Sequence, residues 1–208
     1  MLQEITLAII QAATEFLPIS SSGHLALASN LISEPNLFFI TMLHLASLIA
    51  VLIFTRKEIW SLITFKKETR IWWIYLILAT IPAATFGYFF SSTIGSSFSS
   101  YLVIGITFIF TGLILLLTRL PKMSTKKINL KNSFIIGLMQ ILALFPGVSR
   151  SGITISTGMF QGVKKEQTAK FSFLLFIPLA IGAFLLESGQ AYYSHSLLVA
   201  FILCLVLS

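Results

Sequence analysis

Two short motifs rich in serine and glycine carry most of the polar chemistry of this sequence, one over residues 11–24 and the other over residues 145–154. Arg150 is the most informative residue, because a guanidinium is permanently charged and clamps phosphate oxygens through two N–H groups. Hydroxyl groups surround it, and glycines beside it let backbone N–H groups approach an anion. The residues predicted to contact that anion from the second motif are Gly147, Ser149, Ser151 and Thr154.

The first motif combines oxygen ligands with a hydroxyl and an imidazole. Gln11 and Glu15 are four residues apart and therefore share one helix face. Their oxygens could hold a divalent cation, Mg²⁺ or Ca²⁺, whose shell phosphate and water would complete. A structural alternative is a Glu15 that is protonated or paired with Arg150 for stability, and the two interpretations can coexist.

Serines and a histidine follow directly after Glu15. A hydroxyl next to an imidazole supplies the parts of an activated nucleophile or an acid–base relay. The sequence therefore makes Ser20, Ser21, Ser22 and His24 candidates for catalysis or phosphate binding. The alternatives are turn chemistry for the serines and a hydrogen-bonded core residue for His24. His44 is predicted to face the helix bundle, with a role behind the site as the less favoured alternative.

The elements that position these motifs must lie in a membrane. Hydrophobic residues make up 56% of the 208-residue chain, charged residues only 10%, and the mean hydropathy is +0.94. Soluble domains carry about 25% charged residues. The net charge of +7 comes mostly from basic residues in short loops between apolar runs, as the positive-inside rule predicts. Nucleic-acid binding is therefore excluded as the meaning of this charge.

Apolar runs of sufficient length predict membrane spans at 37–55, 71–90, 101–118 and 171–187, with a shorter run at 195–208. Three clusters of basic residues place their loops on the cytoplasmic side. These clusters are Arg56, Lys57, Lys66, Lys67 and Arg70, then Arg119, Lys122, Lys126, Lys127 and Lys131, then Lys164, Lys165 and Lys170.

Residues 5–33 and 132–163 are apolar but are interrupted by helix-breaking residues, which predicts two re-entrant helical hairpins. A shift of 129 residues places Gln11 on Gln140, Ser20 on Ser149 and Gly23 on Gly152. We therefore predict a single all-α polytopic membrane domain, 1–208, built from inverted-topology repeats. In such folds the broken segments meet near the midplane and form the site. Repeat 1 spans about 1–118, and repeat 2 spans about 132–208 and is expected to lack a final helix.

The two motifs resemble those of a known family. Gln11-x-x-x-Glu15 followed by FLPISSSGH at 16–24 is similar to the (E/Q)xxxE and FLPxSSxGH signature of undecaprenyl-diphosphate phosphatases, the bacitracin-resistance family. PGVSRSGIT at 146–154 matches the PGxSRSxxT signature of the same family. The resemblance implies a multi-pass enzyme of the bacterial inner membrane that converts a prenyl diphosphate lipid to its monophosphate. It also implies dependence on a divalent cation and functional roles for Glu15, Ser21, His24 and Arg150.

Two other functions fit the same architecture. One is a transporter or flippase for an anion or a prenyl-phosphate lipid, since inverted repeats with broken helices are typical of transporters. The other is a non-catalytic lipid-binding scaffold. The hydroxyl, imidazole and guanidinium groups of the motifs favour an enzyme. The sequence is compatible with a homodimer, and it leaves open the metal and the choice of Ser21, His24 or water as nucleophile.

Overall fold

The protein is an all-α molecule, as the sequence predicts. The computed structural model describes residues 1–32, 36–64, 70–119, 125–190 and 193–208. Lys66, Lys67 and Lys122 of the predicted basic loops lie outside these described residues. Within them there is no β-strand, and an isolated bridge joins Lys126 to Val163.

Eleven α-helices occupy the described part of the chain. In order they are α1 Leu2–Thr14, α2 Ser21–Ile32, α3 Leu37–Phe54, α4 Arg56–Ile63, α5 Arg70–Phe89, α6 Ser91–Ser97, α7 Tyr101–Leu117, α8 Leu130–Gln140, α9 Arg150–Phe160, α10 Lys165–Glu187 and α11 His195–Leu207. Short 3-10 helices follow α8 and α10, at Leu142–Leu144 and Ser188–Gln190.

Three of these helices, α3, α5 and α10, are long and apolar enough to cross a membrane. A fourth span results if α6 and α7, which meet at 91°, are counted together. The four predicted spans coincide with α3, α5, α7 and α10, and the shorter predicted run at 195–208 coincides with α11. The chain is a multi-pass membrane protein. The largest difference is that α10 begins six residues before the predicted 171, because its first turns are polar and carry no hydropathy signal. Glu166 in that first turn suits the positive end of the helix.

The two interrupted segments fold as helical hairpins, α1 with α2 and α8 with α9. Backbone conformations that disfavour helix occur where each hairpin turns. Ser20 has φ +67° and Gly147 has φ +95°, and Pro146 precedes Gly147. The hairpins therefore turn within the predicted motifs. The inverted relation of the two halves and the re-entry of each hairpin stay predictions.

The remaining helices surround the two hairpins. Helix α1 packs against α2, α3 and α11, whereas α8 packs against α5 and α9. Helix α10 contacts α3, α5 and α9, and α7 lies against both α2 and α9. Leu25, Leu43 and Phe171 are fully buried between these elements, whereas Leu102 and Ile109 of α7 are exposed on the outside. An apolar exterior of this kind suits lipid as the surrounding solvent.

Candidate active site

The tips of the two hairpins contact each other. The N–H of Gly147 donates to Ser20 Oγ at 3.1 Å. A methyl group at Gly23 would lie only 2.6 Å from the Cα of Gly147, a distance that Cβ atoms do not tolerate. Glycine at position 23 thus allows the two hairpin backbones to approach, and the approach brings the two motifs into one site.

An ion pair joins the hairpins beside this contact. Arg150 Nη2 donates to Glu15 Oε1 at 3.0 Å, and Arg150 Nη1 donates to the carbonyl of Ser172 at 3.2 Å. The Phe176 ring lies under the guanidinium, 4.2 Å from Cζ to the ring centroid. The side chains of Glu15 and Arg150 are 5% and 16% exposed, so the pair is largely withdrawn from solvent.

The second carboxylate oxygen of Glu15 collects the other polar groups of the first motif. Ser21 Oγ donates to Oε2 at 2.5 Å, and Gln11 Nε2 donates to the same oxygen at 2.8 Å. His44 Nε2 lies 3.6 Å from Oε2. Glu15 is therefore the centre of the site, with a hydroxyl proton already directed at it.

Two helices begin at this point, and each has a serine cap. Ser20 Oγ accepts from the N–H of Gly23 at 3.2 Å, and Ser149 Oγ accepts from the N–H of Gly152 at 3.1 Å. Among the described residues, the first-turn N–H groups without an acceptor are those of Ser21, Ser22, Arg150 and Ser151. Free N–H groups at a helix N-terminus form an anion site. The N-termini of α2 and α9 therefore supply two such sites next to each other.

A cavity of about 480 Å³ connects the polar groups with an apolar region. Its polar end is lined by the side chains of Glu15, His44 and Arg150 and by serines of both motifs. Its other end lies between α5 and α10 and is lined by small and apolar residues. Those residues include Ala83, Ala84, Gly87, Gly182, Ala183 and Leu186. This division matches a molecule with an anionic head and a long apolar tail.

Seven of the predicted site residues line this cavity. They are Glu15, Ser20, Ser21, Ser22, Ser149, Arg150 and Ser151. Gln11 lies behind Glu15 and is completely buried. The N–H of Gly147 is already bound to Ser20, and the hydroxyl of Thr154 bonds to Ser172 Oγ at 2.7 Å. The Gly147 N–H and the Thr154 hydroxyl therefore hold the second hairpin against Ser20 and α10, and neither residue lines the cavity.

His24 is not brought to Glu15 or Ser21. Its Nδ1 lies 2.8 Å from the carbonyl of Ser20, and its ring meets the Phe108 ring edge-on at a centroid distance of 5.0 Å. It lines a separate apolar groove between α1 and α2. The predicted relay between Ser21 and His24 is therefore not formed here, and the imidazole that faces Glu15 belongs to His44.

Sequence reasoning missed four residues that hold the site. Thr111 of α7 donates to the carbonyl of Gly147 at 2.8 Å and accepts from the N–H of Ser149 at 3.1 Å. Ser47 accepts from Gln11 at 3.3 Å, and the other two are Ser172 and Phe176. All four lie inside apolar spans. The only signal of a role in the site was the residue type itself, since no neighbouring residue in the sequence indicated what each side chain contacts.

The oxygen atoms around Glu15 decide how a divalent cation could be held. Gln11 Oε1 is buried and has no hydrogen-bond partner among the described residues, so an oxygen ligand is available beside Glu15. Both oxygens of Glu15, however, are already engaged. The described residues contain no group of three or more His, Cys, Asp or Glu side chains that could hold a metal. Gln11 Oε1 is therefore the one oxygen beside Glu15 shown to be without a partner in the described part of the chain, and a divalent cation at this site stays a prediction.

Comparisons with known proteins show the family of this chain. The family model described as "Bacitracin resistance protein BacA" matches residues 4–208. A protein named undecaprenyl-diphosphatase from Thermosipho africanus is 43% identical over 214 residues, covering 97% of this chain and 86% of the relative. A protein of the same name from Methanococcus maripaludis (strain C7) is 39% identical, covering 97% and 84%. Another from Alteromonas mediterranea is 43% identical, covering 88% and 74%.

Proposed function

The chain belongs to the bacitracin resistance protein BacA family, and from that premise we infer that it is an undecaprenyl-diphosphatase. It hydrolyses undecaprenyl diphosphate to undecaprenyl monophosphate and inorganic phosphate. The reaction recycles the lipid carrier of cell-wall synthesis and confers bacitracin resistance. The observation that supports this function best is the joining of the Glu15 and Arg150 motifs at the polar end of a cavity whose other end is apolar.

The test is phosphate release from undecaprenyl diphosphate by the purified protein. Release must require Glu15 and Arg150, so near wild-type turnover in Glu15→Ala or Arg150→Ala would contradict the site. A transporter or flippase would instead move the lipid across proteoliposomes without releasing phosphate. We place the chain in the inner membrane of a bacterium, in contact with its lipids. A homodimer is a separate prediction, which light scattering of the detergent-purified protein tests.

The diphosphate lies between the N-termini of α2 and α9 in this proposal. The residues that carry these free N–H groups line the same cavity, so one phosphate can meet each helix. Arg150 has five N–H donors, of which two have acceptors among the described residues. The other donors are available to bridge the two phosphates. Phosphoryl transfer depends mostly on such positioning and charge stabilisation.

The prenyl tail occupies the apolar end of the cavity between α5 and α10. Gly182 lines that end, and a Cβ there would meet no atom within 4 Å. Gly182→Ala should therefore be tolerated, whereas Gly182→Leu should raise KM for undecaprenyl diphosphate more than for a short prenyl diphosphate. Gly112→Leu is the matched control, because Gly112 is exposed on α7 and its Cβ would also meet nothing within 4 Å. Equal effects on long and short substrates would contradict this tail site.

The chemistry starts from the hydroxyl of Ser21, which already donates to Glu15. Ser21 Oγ attacks the terminal phosphorus while its proton passes to Glu15 Oε2. The bond from that phosphorus to the bridging oxygen breaks, its electron pair leaves with undecaprenyl monophosphate, and Glu15 returns the proton to that product. Water then attacks the phosphoserine and gives a proton to Glu15. The bond from phosphorus to Ser21 Oγ breaks, the proton goes to that oxygen, and inorganic phosphate leaves.

Trapping experiments distinguish Ser21 from water as the nucleophile. Acid quenching during turnover should leave one phosphoryl group on Ser21, detected by mass spectrometry of the intact chain and its peptides. Ser21→Ala should abolish that signal and lower turnover by about 10²–10⁴-fold, the usual contribution of a positioned reacting group. Ser29→Ala serves as control, since Ser29 is also buried on the same helix but does not line the cavity. Turnover of Ser21→Ala near that of Ser29→Ala would assign the attack to water.

A divalent cation, Mg²⁺ or Ca²⁺, would be held by Glu15 and by Gln11 Oε1 together with the substrate phosphates. When bound, it would supply positive charge that neutralises phosphate oxygens. Gln11→Glu should tighten this binding, and Gln11→Leu should weaken it. The readout is the cation-dependent rise in melting temperature in the presence of a non-hydrolysable methylene analogue of the diphosphate. An equal rise in both variants would show that Gln11 does not bind the cation.

His24 keeps its predicted catalytic role as a hypothesis that mutagenesis tests directly. Its ring lies against Phe108, outside the cavity. A function through protonation of the substrate would require the hairpin to rearrange. His24→Ala with near wild-type phosphate release would remove His24 from the catalytic residues and leave His44 as the imidazole next to Glu15.

A further inference from the structure

The guanidinium of Arg150 lies over an aromatic ring of α10. Arg150 Cζ lies 4.2 Å from the centroid of the Phe176 ring, well inside the distance of about 6 Å at which a cation is attracted to a ring face. Phe176 is 4% exposed and lines the cavity. The contact is therefore buried at the polar end of the site.

Arg150 has three contacts at this end of the site. Nη2 donates to Glu15, Nη1 donates to the carbonyl of Ser172, and the centre of the guanidinium lies over the Phe176 ring. The two hydrogen bonds hold two of its nitrogens. The ring contact acts on the charge of the whole group and restricts it from a third direction. Phe176 follows Ser172 by four residues, so one face of α10 supplies both contacts.

The ring contact also differs from the other two in how it responds to an anion. A phosphate accepts from N–H groups, as Glu15 and the Ser172 carbonyl do, and it can bind the N–H groups that these two leave without an acceptor. The ring attracts the charge of the guanidinium and is not an oxygen acceptor of this kind. It can therefore stay in place when those N–H groups bind phosphate.

We propose that Phe176 is a positioning residue for the reaction, which holds the guanidinium of Arg150 with its free N–H groups directed at the diphosphate. This inference rests on the proposed function, because it assigns the ring to the phosphate-binding step of that reaction. The ring acts through Arg150 and makes no bond to phosphate itself.

Phe176 also packs in the core with Leu48, Val51 and Ala180, so its packing must be separated from its electronic role. Phenylalanine analogues whose rings carry successively more fluorine keep nearly the same shape but bind a cation progressively less well. The test incorporates this series at position 176 and adds Phe176→Tyr and Phe176→Leu. Phe173→Leu is the matched control, because Phe173 lies on the same helix against Phe54, at a centroid distance of 5.9 Å.

We expect kcat/KM for undecaprenyl diphosphate to fall stepwise along the fluorine series. Phe176→Leu should lose about 5- to 30-fold, as expected for a desolvated contact between a cation and a ring. Phe176→Tyr should stay within about two-fold of wild type, since a phenol ring also attracts cations. Phe173→Leu should behave like wild type. A flat fluorine series, or equal losses in Phe176→Leu and Phe173→Leu, would overturn the proposal.

Binding of inorganic pyrophosphate gives a readout that does not depend on turnover. The rise in melting temperature caused by pyrophosphate should shrink along the fluorine series and should be absent in Arg150→Met. If wild-type protein released no phosphate, the proposed function would fail while this binding series still decided the role of Phe176. A pyrophosphate effect that is constant across the series would overturn the role of the ring even in an active enzyme.

Discussion

Breaking the ion pair of Glu15 and Arg150 should destabilise the protein, and removing both charges should reverse much of the loss. Both side chains are largely buried, at 5% and 16% exposure. Removal of one partner from a buried pair costs about 3–5 kcal/mol, because the other charge is left without compensation. In a chain of this size, each kcal/mol of lost stability lowers the melting temperature by about 2–4 °C. Either single variant should therefore lose roughly 6–20 °C in melting temperature.

The two single variants should not be equivalent. Glu15→Gln leaves a guanidinium, which stays charged, whereas Arg150→Met leaves a carboxyl, which can take up a proton. Glu15→Gln should therefore show the larger drop. The double variant Glu15→Gln/Arg150→Met should recover at least half of the loss, because no unpaired charge remains. Phosphate release should be absent in all three variants, so stability and activity separate.

The single cysteine of the chain provides the assay. Cys204 is completely buried, so a thiol-reactive fluorophore in detergent micelles labels it only as the helices separate on heating. The heating rate must be fixed, since irreversible unfolding makes the midpoint depend on it. A double variant as unstable as the sum of its single variants would show that the two charges are not coupled. Wild-type phosphate release by either single variant would refute their place in the site.

Three further predictions concern the supports of the site. Gly23→Ala places a methyl 2.6 Å from Gly147 and should separate the hairpin tips, costing about 1–3 kcal/mol and most of the phosphate release; unchanged release would contradict the contact. Thr111→Val keeps the shape but removes two hydrogen bonds to the second hairpin tip, each worth about 0.5–1.5 kcal/mol, so thermal unfolding should occur at lower temperature and kcat should fall. Burial alone would raise the pKa of Glu58, but the hydrogen bond from Lys170 at 3.0 Å keeps that pKa below its ordinary value of 4.5. The ionised Glu58 therefore stabilises the folded protein above the ordinary pKa, and this stabilisation is lost as the pH falls through the lowered pKa. Lys170→Met should reduce this acid dependence of the free energy of unfolding by about 0–1 kcal/mol, measured by thermal unfolding.

The sequence predicted the spans and the positions of the hairpin turns, because length, hydropathy and helix-breaking residues are local properties. It did not predict which histidine faces Glu15. His24 and His44 each bond through Nδ1 to the carbonyl four residues earlier, at 2.8 Å in both cases. Such a local bond orients each ring along its own helix. The packing of α1 against α3 then directs the ring of His44 at Glu15, and no spacing within the sequence contains that information.

The ion pair also explains how a charged site can be buried inside a membrane protein. Glu15 and Arg150 belong to different hairpins, so either hairpin alone would bury an uncompensated charge at a cost of several kcal/mol. Among the described residues that line the cavity, these two are the only ones with a formal charge at neutral pH when histidine is neutral. The site without substrate is therefore close to neutral. A diphosphate adds negative charge beside Glu15. Because of this excess negative charge, the proposed cation should bind together with the substrate and not before it.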